Sequence, residues 1–230
     1  MRVGSNKEAN ITKARSMIKE ASLRGSKMVI LPEMFNCPYN NSAFPKFAES
    51  YPDGPTFRML SGTAREEKIV LVGGSVPEKE GQEIFNSCFV FNPKGELIAR
   101  HQKVHLFDVD LAGGLSFHES KTLGGGKQIT VVQSDLCTFG VAICYDIRFP
   151  ELSRLMALAG AQLLIIPAAF NMTTGPAHWE ILLRVRAIDN QVYVAGAAPA
   201  RDLNSSYVSY GNSAVIDPWG NIIARADERE

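Results

Sequence analysis

"LRGSKMVILPEMF", residues 23 to 35, returns in altered form at residues 158 to 170 as "LAGAQLLIIPAAF". Each copy puts a glycine where a helical pattern stops, follows it with an apolar run, and then places a proline with a phenylalanine three positions on. The order holds outward from there. "GPTFRML" at 54 to 60 is answered by "GPAHWEIL" at 175 to 182, "KIVLVGGSVP" at 68 to 77 by "QVYVAGAAP" at 191 to 199, and "VFNPKGELIAR" at 90 to 100 by "VIDPWGNIIAR" at 215 to 225. One such match is ordinary strand-and-turn grammar. Four in the same order, all 121 to 135 residues apart, point to a duplicated architecture.

Each half then reads as helix, strand, helix, strand, hairpin. In the first, Ser5 followed by Glu8 reads as a capping box, and Ile11, Ala14, Ile18 and Ala21 form an apolar stripe that stops at Gly25. In the second, Pro150 suits the first helical turn, and Leu152, Leu155, Met156 and Ala159 make the stripe before Gly160. "MVIL" and "LLII" are apolar throughout, as expected of strands covered on both faces. Asn92-Pro93-Lys94-Gly95 and Asp217-Pro218-Trp219-Gly220 read as turns. Helices alternating with strands predict an α/β fold, with residues 1–230 forming a single domain. A strand, "FGVAIC", precedes the first helix of the second half, and nothing comparable precedes that of the first. The reading therefore expects a chain that begins inside its fold and stops just after a hairpin, at a cost in stability.

Composition narrows the function. With 24 basic and 24 acidic residues, charge favours neither nucleic acid nor an anionic membrane, so a small neutral or acidic ligand is expected. No window reaches the length of a membrane span or a signal-peptide core, which reads as cytoplasmic, with the mitochondrion as the alternative. Cys37, Cys88, Cys137 and Cys144 show no metal-ligand spacing, and the four histidines are scattered. Reduced thiols, no metal and no cofactor are expected. The sequons at Asn10, Asn40, Asn171 and Asn204 read as chance matches.

In α/β sheets, ligands gather beyond the carboxyl ends of strands. Glu33 follows "MVILP", Cys144 closes "GVAIC", and Lys103 lies just beyond the first hairpin. A thiol needs a base or a positive field to become a nucleophile. Glu33 suits the base, Lys103 suits an anionic tetrahedral intermediate and a departing nitrogen, and the backbone N–H of Tyr145 suits a second oxyanion donor. Each residue also has a plainer reading. Cys144 alone could be an inert buried thiol, Glu33 a cap, Lys103 a solvated lysine and Glu119 an exposed loop acid.

"LPEMFNCPY", "HQKVHLFDVD" and "GVAICYDIRFPE" resemble the Glu, Lys and Cys motifs of the nitrilase superfamily of carbon-nitrogen hydrolases, in the family's order and over nearly the whole chain. "SFHESKTL", "FNMTTGPAHWE", "RAIDNQVYVAGAAPARD" and "SYVSYGNSAVIDPWG" are most similar to its omega-amidase branch. The resemblance implies a four-layer α-β-β-α sandwich, Glu33 as base, Lys103 as proton donor, Cys144 as nucleophile and Glu119 as a second carboxylate orienting Lys103 and substrate. It implies hydrolysis, without cofactor, of the terminal amide of short 2-oxo dicarboxylic acid monoamides such as 2-oxoglutaramate and 2-oxosuccinamate. It also implies a homodimer. The family's opening strand and C-terminal tail are not matched, which weakens the expectation of a dimer.

The substrate's far carboxylate calls for a cation or hydroxyls. Arg148 is the candidate, with an ion pair to Glu151 as its alternative; Tyr39, Phe170 and Thr174 are further candidates, with core packing the alternative for Phe170. His178 sits at a helix start and reads as structural. The competing functions are a deaminated glutathione amidase, an N-carbamoyl hydrolase, a papain-like protease using Cys144 and His178, and an inactive interaction module.

Overall fold

The computed structural model describes residues 1–110 and 116–230. In chain order the helices and strands are α1 (Lys7–Leu23), β1 (Met28–Ile30), α2 (Phe44–Phe47), α3 (Pro55–Glu67), β2 (Val70–Val72), β3 (Val76–Glu80), β4 (Glu83–Phe91), β5 (Leu97–Gln102) and β6 (Asp108–Asp110). There follow β7 (Ser116–His118), β8 (Thr130–Gln133), β9 (Thr138–Val141), α4 (Pro150–Leu158), β10 (Leu163–Pro167), α5 (Gly175–Asn190), β11 (Tyr193–Ala197), β12 (Ala214–Ile216) and β13 (Ile222–Arg225).

The repeat read from the sequence is a repeat of pairing. In the first half β1 runs parallel to β2, β2 antiparallel to β4 and β4 antiparallel to β5. In the second, β10 runs parallel to β11, β11 antiparallel to β12 and β12 antiparallel to β13. β3 adds to the first sheet alongside the early part of β4. β9 and β8 extend the second beyond β10. So β10 has a strand on each side, whereas β1 pairs with β2 alone among the described residues.

Period-2 alternation distributes side chains between layers. Along β2 and β4, Val70, Val72, Cys88 and Val90 join a core shared with Phe139, Val141, Ile165 and Ile216 of the second sheet. Their alternate neighbours Leu71, Phe89 and Phe91 pack instead with Ala14 and Ile18 of α1 and Phe57, Leu60 and Ala64 of α3. Leu152 and Met156 of α4 and Trp179, Leu183 and Ala187 of α5 cover the second sheet. The layers are therefore α-β-β-α, as the resemblance implies.

Several local readings need correction. The cap of α1 is Asn6, whose side chain accepts from the Ala9 N–H at 2.8 Å, so Ser5 and Glu8 form no capping box there. Within the α1 stripe Ala14 and Ile18 are buried, but Ile11 and Ala21 stay partly exposed, and Asn10 takes an unforeseen buried place. The α4 stripe is narrower than expected: Leu155 is half exposed and Ala159 lies beyond the last helical residue, in solvent. "MVIL" is not fully covered, because β1 has one strand neighbour and each of its residues is only partly buried. The glycines closing the first helix of each half hold, with φ of 92° at Gly25 and 95° at Gly160, backbone that a side chain would strain.

Candidate active site

Glu33, Lys103, Glu119 and Cys144 arrive from different parts of the chain and meet out of solvent. Glu33 follows β1 and Lys103 follows β5, so the first sheet delivers both. Cys144 follows β9 on the second sheet, and Glu119 opens a short 3-10 turn after β7. Lys103 is fixed along its backbone, its N–H donating to the Asn86 carbonyl at 2.8 Å and its own carbonyl accepting from the Gly126 N–H at 2.8 Å. Its ammonium donates to Glu33 Oε1 at 2.8 Å and lies 2.9 Å from Glu119 Oε2, with all three side chains at 0% exposure.

The carboxylates are held in turn. Asn86 on β4 donates to Glu33 Oε1 at 2.8 Å. Glu119 accepts the Tyr39 hydroxyl on one oxygen and the Phe107 N–H on the other, each at 2.7 Å. Glu33 Oε2 has no hydrogen-bond partner by distance and angle among the described residues. Cys144 is nonetheless close enough for the two side chains to affect each other's proton affinity. Cys144 sits at φ 47°, a left-handed turn that costs a β-carbon residue energy and that surrounding structure must enforce.

Charge follows from burial and neighbours. Burial disfavours the Lys103 ammonium, but Glu119 and Glu33 outweigh it and hold the pKa well above the ordinary lysine value. Burial raises the Glu33 pKa, and Glu119 adds to the rise against the pull of Lys103. The Cys144 thiol is pushed up by burial and by Glu33. At rest the sulfur keeps its proton.

A narrow cavity of about 10 Å³ lies against Cys144, lined among others by Tyr145, Arg148, Phe170, Thr174 and Tyr207. Arg148 does not pair with Glu151; its Nη1 donates to His178 Nδ1 at 3.3 Å. Its guanidinium lies 5.5 Å from the Tyr145 ring centroid and 5.2 Å from that of Phe170, while its buried Nε has no partner among the described residues. Phe170 lines the cavity and also packs on Trp179, with ring centroids 5.0 Å apart. Tyr39 sits on the carboxylate side, stacked on Tyr207 at 4.5 Å. His178 is exposed on α5 and bonds Arg148. Glu119 is fully buried, against the exposed-loop reading.

Sequence reasoning missed Asn86 and Tyr207. Asn86 was visible as the lone amide in the strand "EIFNSCFVF", and Tyr207 as a tyrosine in a polar loop, where only spatial neighbours give it meaning.

A two-sheet sandwich flanked by helices, with a thiol facing a carboxylate pair and a buried ammonium across the sheet ends, is the frame of the nitrilase superfamily. A family model described as carbon-nitrogen hydrolase matches residues 2–230, and the chain belongs to that family. It is 50% identical over 230 residues to the omega-amidase NIT2 of Danio rerio and 49% identical to that of Homo sapiens, covering 100% of this chain and 83% of each relative. Among solved structures, Saccharomyces cerevisiae Nit3, a member of branch 10 of the nitrilase superfamily, superposes with a TM-score of 0.91 at 44% identity, over 100% of this chain and 83% of that one. A mutant amidase from Nesterenkonia sp. AN1, bearing acrylamide added to its active-site cysteine, gives a TM-score of 0.84 at 26% identity, over 100% and 87% of the two chains.

Proposed function

We propose that residues 1–230 act as one domain, an omega-amidase that hydrolyses the terminal amide of 2-oxoglutaramate or 2-oxosuccinamate through a thioester on Cys144. The thiol gives its proton to Glu33 as sulfur attacks the amide carbonyl. Lys103 and the Tyr145 N–H stabilise the oxyanion. Lys103 then protonates the departing nitrogen and is recharged by Glu33 across their 2.8 Å hydrogen bond, so the C–N bond breaks and ammonia leaves. Glu33, free of its proton, takes one from water, hydroxide adds to the thioester, and the 2-oxo acid and thiol are released. Glu119 keeps Lys103 charged and aimed.

The observation that carries this reading is the buried ammonium held between two carboxylates beside Cys144. Arg148, which lines the cavity, supplies the cation for the substrate's far carboxylate, and Thr174 a hydroxyl. The 50% identity to the omega-amidase NIT2 of Danio rerio supports this substrate class over deaminated glutathione or an N-carbamoyl compound. Exposed Leu158 and Ile181 on α4 and α5 support a homodimer through those helices. Four free cysteines suit a reducing compartment, and we place the enzyme in the cytoplasm.

The test is ammonia release from 2-oxoglutaramate and from deaminated glutathione, with the unaltered chain and Cys144→Ala side by side. The short amide is expected to be the better substrate and the alanine variant inert. Turnover by Cys144→Ala, or a preference for the larger amide, overturns the reading. A His178→Ala variant that loses turnover while Lys103→Ala keeps it would instead favour a thiol-histidine protease.

A further inference from the structure

Asp146 is fully buried two residues past Cys144, and the mechanism above gives it no task. Both its oxygens are fully engaged. Oδ2 accepts the Ile143 N–H at 3.0 Å, from the residue that precedes the nucleophile, and lies 3.3 Å from His101 Nε2. Oδ1 accepts the His105 N–H at 2.8 Å and meets His105 Nδ1 at the same distance. His101 and His105 lie two residues either side of Lys103. Both histidines are held from behind as well: His101 Nδ1 meets Thr130 Oγ1 at 3.0 Å, and the His105 ring stacks on Phe149 at 3.6 Å.

One carboxylate therefore grips the cysteine turn of the second sheet and both flanks of the lysine segment of the first. We infer that Asp146 is a positioning residue that sets the spacing between the Cys144 sulfur and the Lys103 ammonium and enforces the left-handed turn at Cys144. This rests on the proposed roles of those two residues. The grip needs a carboxylate, because each oxygen faces a backbone N–H from a different sheet. In an asparagine one of those N–H groups must face an NH2 and the staple opens on one side. Against its burial, His101, His105 and the Ile143 N–H hold the acid well below the usual aspartate range, so it is an anion throughout the working pH range.

Misplacing reacting groups by about 1 Å costs on the order of 100-fold in rate. Asp146→Asn is expected to lower kcat on 2-oxoglutaramate by about that factor, with KM little changed, and to slow alkylation of Cys144 by acrylamide in parallel. His105→Phe, which keeps the ring stacked on Phe149 and loses the Nδ1 contact, is expected to show the same pattern more weakly. Folded Asp146→Asn with a lowered Tm but unaltered kcat and alkylation rate would reduce the residue to a fold support and overturn the inference. Should Asp146→Asn fail to fold, His105→Phe decides by the same two rates. A chain that releases no ammonia from any amide defeats the proposed function, and the alkylation comparison still judges the staple.

Discussion

Glu119 holds the Lys103 ammonium and, in the proposed reaction, also acts on the base Glu33 through its charge. Burial is the larger reason Glu33 holds its proton more tightly than an ordinary glutamate, and the negative charge of Glu119 is another. A base with a raised pKa is protonated, and idle, over a wider acidic range. Glu119→Gln removes that repulsion, so the acid limb of the kcat/KM profile is expected to move to lower pH while kcat falls, because Lys103 loses one of its two anchors. A pH-rate series on both proteins reads this directly. A movement to higher pH would mean that Glu119 does not act on the base. In the proposed function Arg148 acts on binding instead. A charge-assisted hydrogen bond is worth about 1.5 to 3 kcal/mol, so Arg148→Met is expected to raise KM for a dicarboxylic monoamide by roughly 10-fold to 100-fold. A neutral amide of similar length should be little affected, and equal losses on both would remove Arg148 from carboxylate recognition.

The elements owe their positions to close approaches that small residues permit. At Gly196 on β11 an added Cβ would come within 2.5 Å and 2.7 Å of the Trp179 ring, which cannot withdraw easily because its Nε1 donates to the Asn212 carbonyl at 2.8 Å. Gly196→Ala is expected to cost about 1 to 3 kcal/mol, measured as a lowered Tm, with turnover of the folded enzyme retained at 25 °C. Gly196 lies in "QVYVAGAAP", one of the repeated stretches, and much of the fold was legible at that level because apolar period and turn chemistry are local. The pairing order of both sheets follows the repeat read from the sequence. What failed was set by neighbours: Asn6 displaced Ser5 as a cap, and Leu155 kept its helical phase yet faced outward. In the site, Glu33, Lys103 and Cys144 stood at motif positions, and the fold buries all three together. Asn86, Tyr207 and Asp146 were passed over because a buried polar group declares itself only through partners distant in the chain.

At the scale of the whole molecule, Leu158 and Ile181 leave apolar side chains 76% and 60% exposed on the helices that cover the second sheet. If two copies meet there, Ile181→Glu should convert a dimer to a monomer in sedimentation at micromolar concentration, while the fold, which does not use that side chain, persists. An unchanged sedimentation coefficient would move the interface elsewhere. The internal repeat has a different consequence. Its two halves are alike in path but not in equipment: Ala168 occupies in the second half the place that Glu33 holds in the first. The duplicated architecture thus carries the proposed general base once, and the equivalent locus in the second half keeps only a methyl group. Active-site titration should therefore reach an end point at a single acyl equivalent per polypeptide, half of what the symmetry of the scaffold would accommodate.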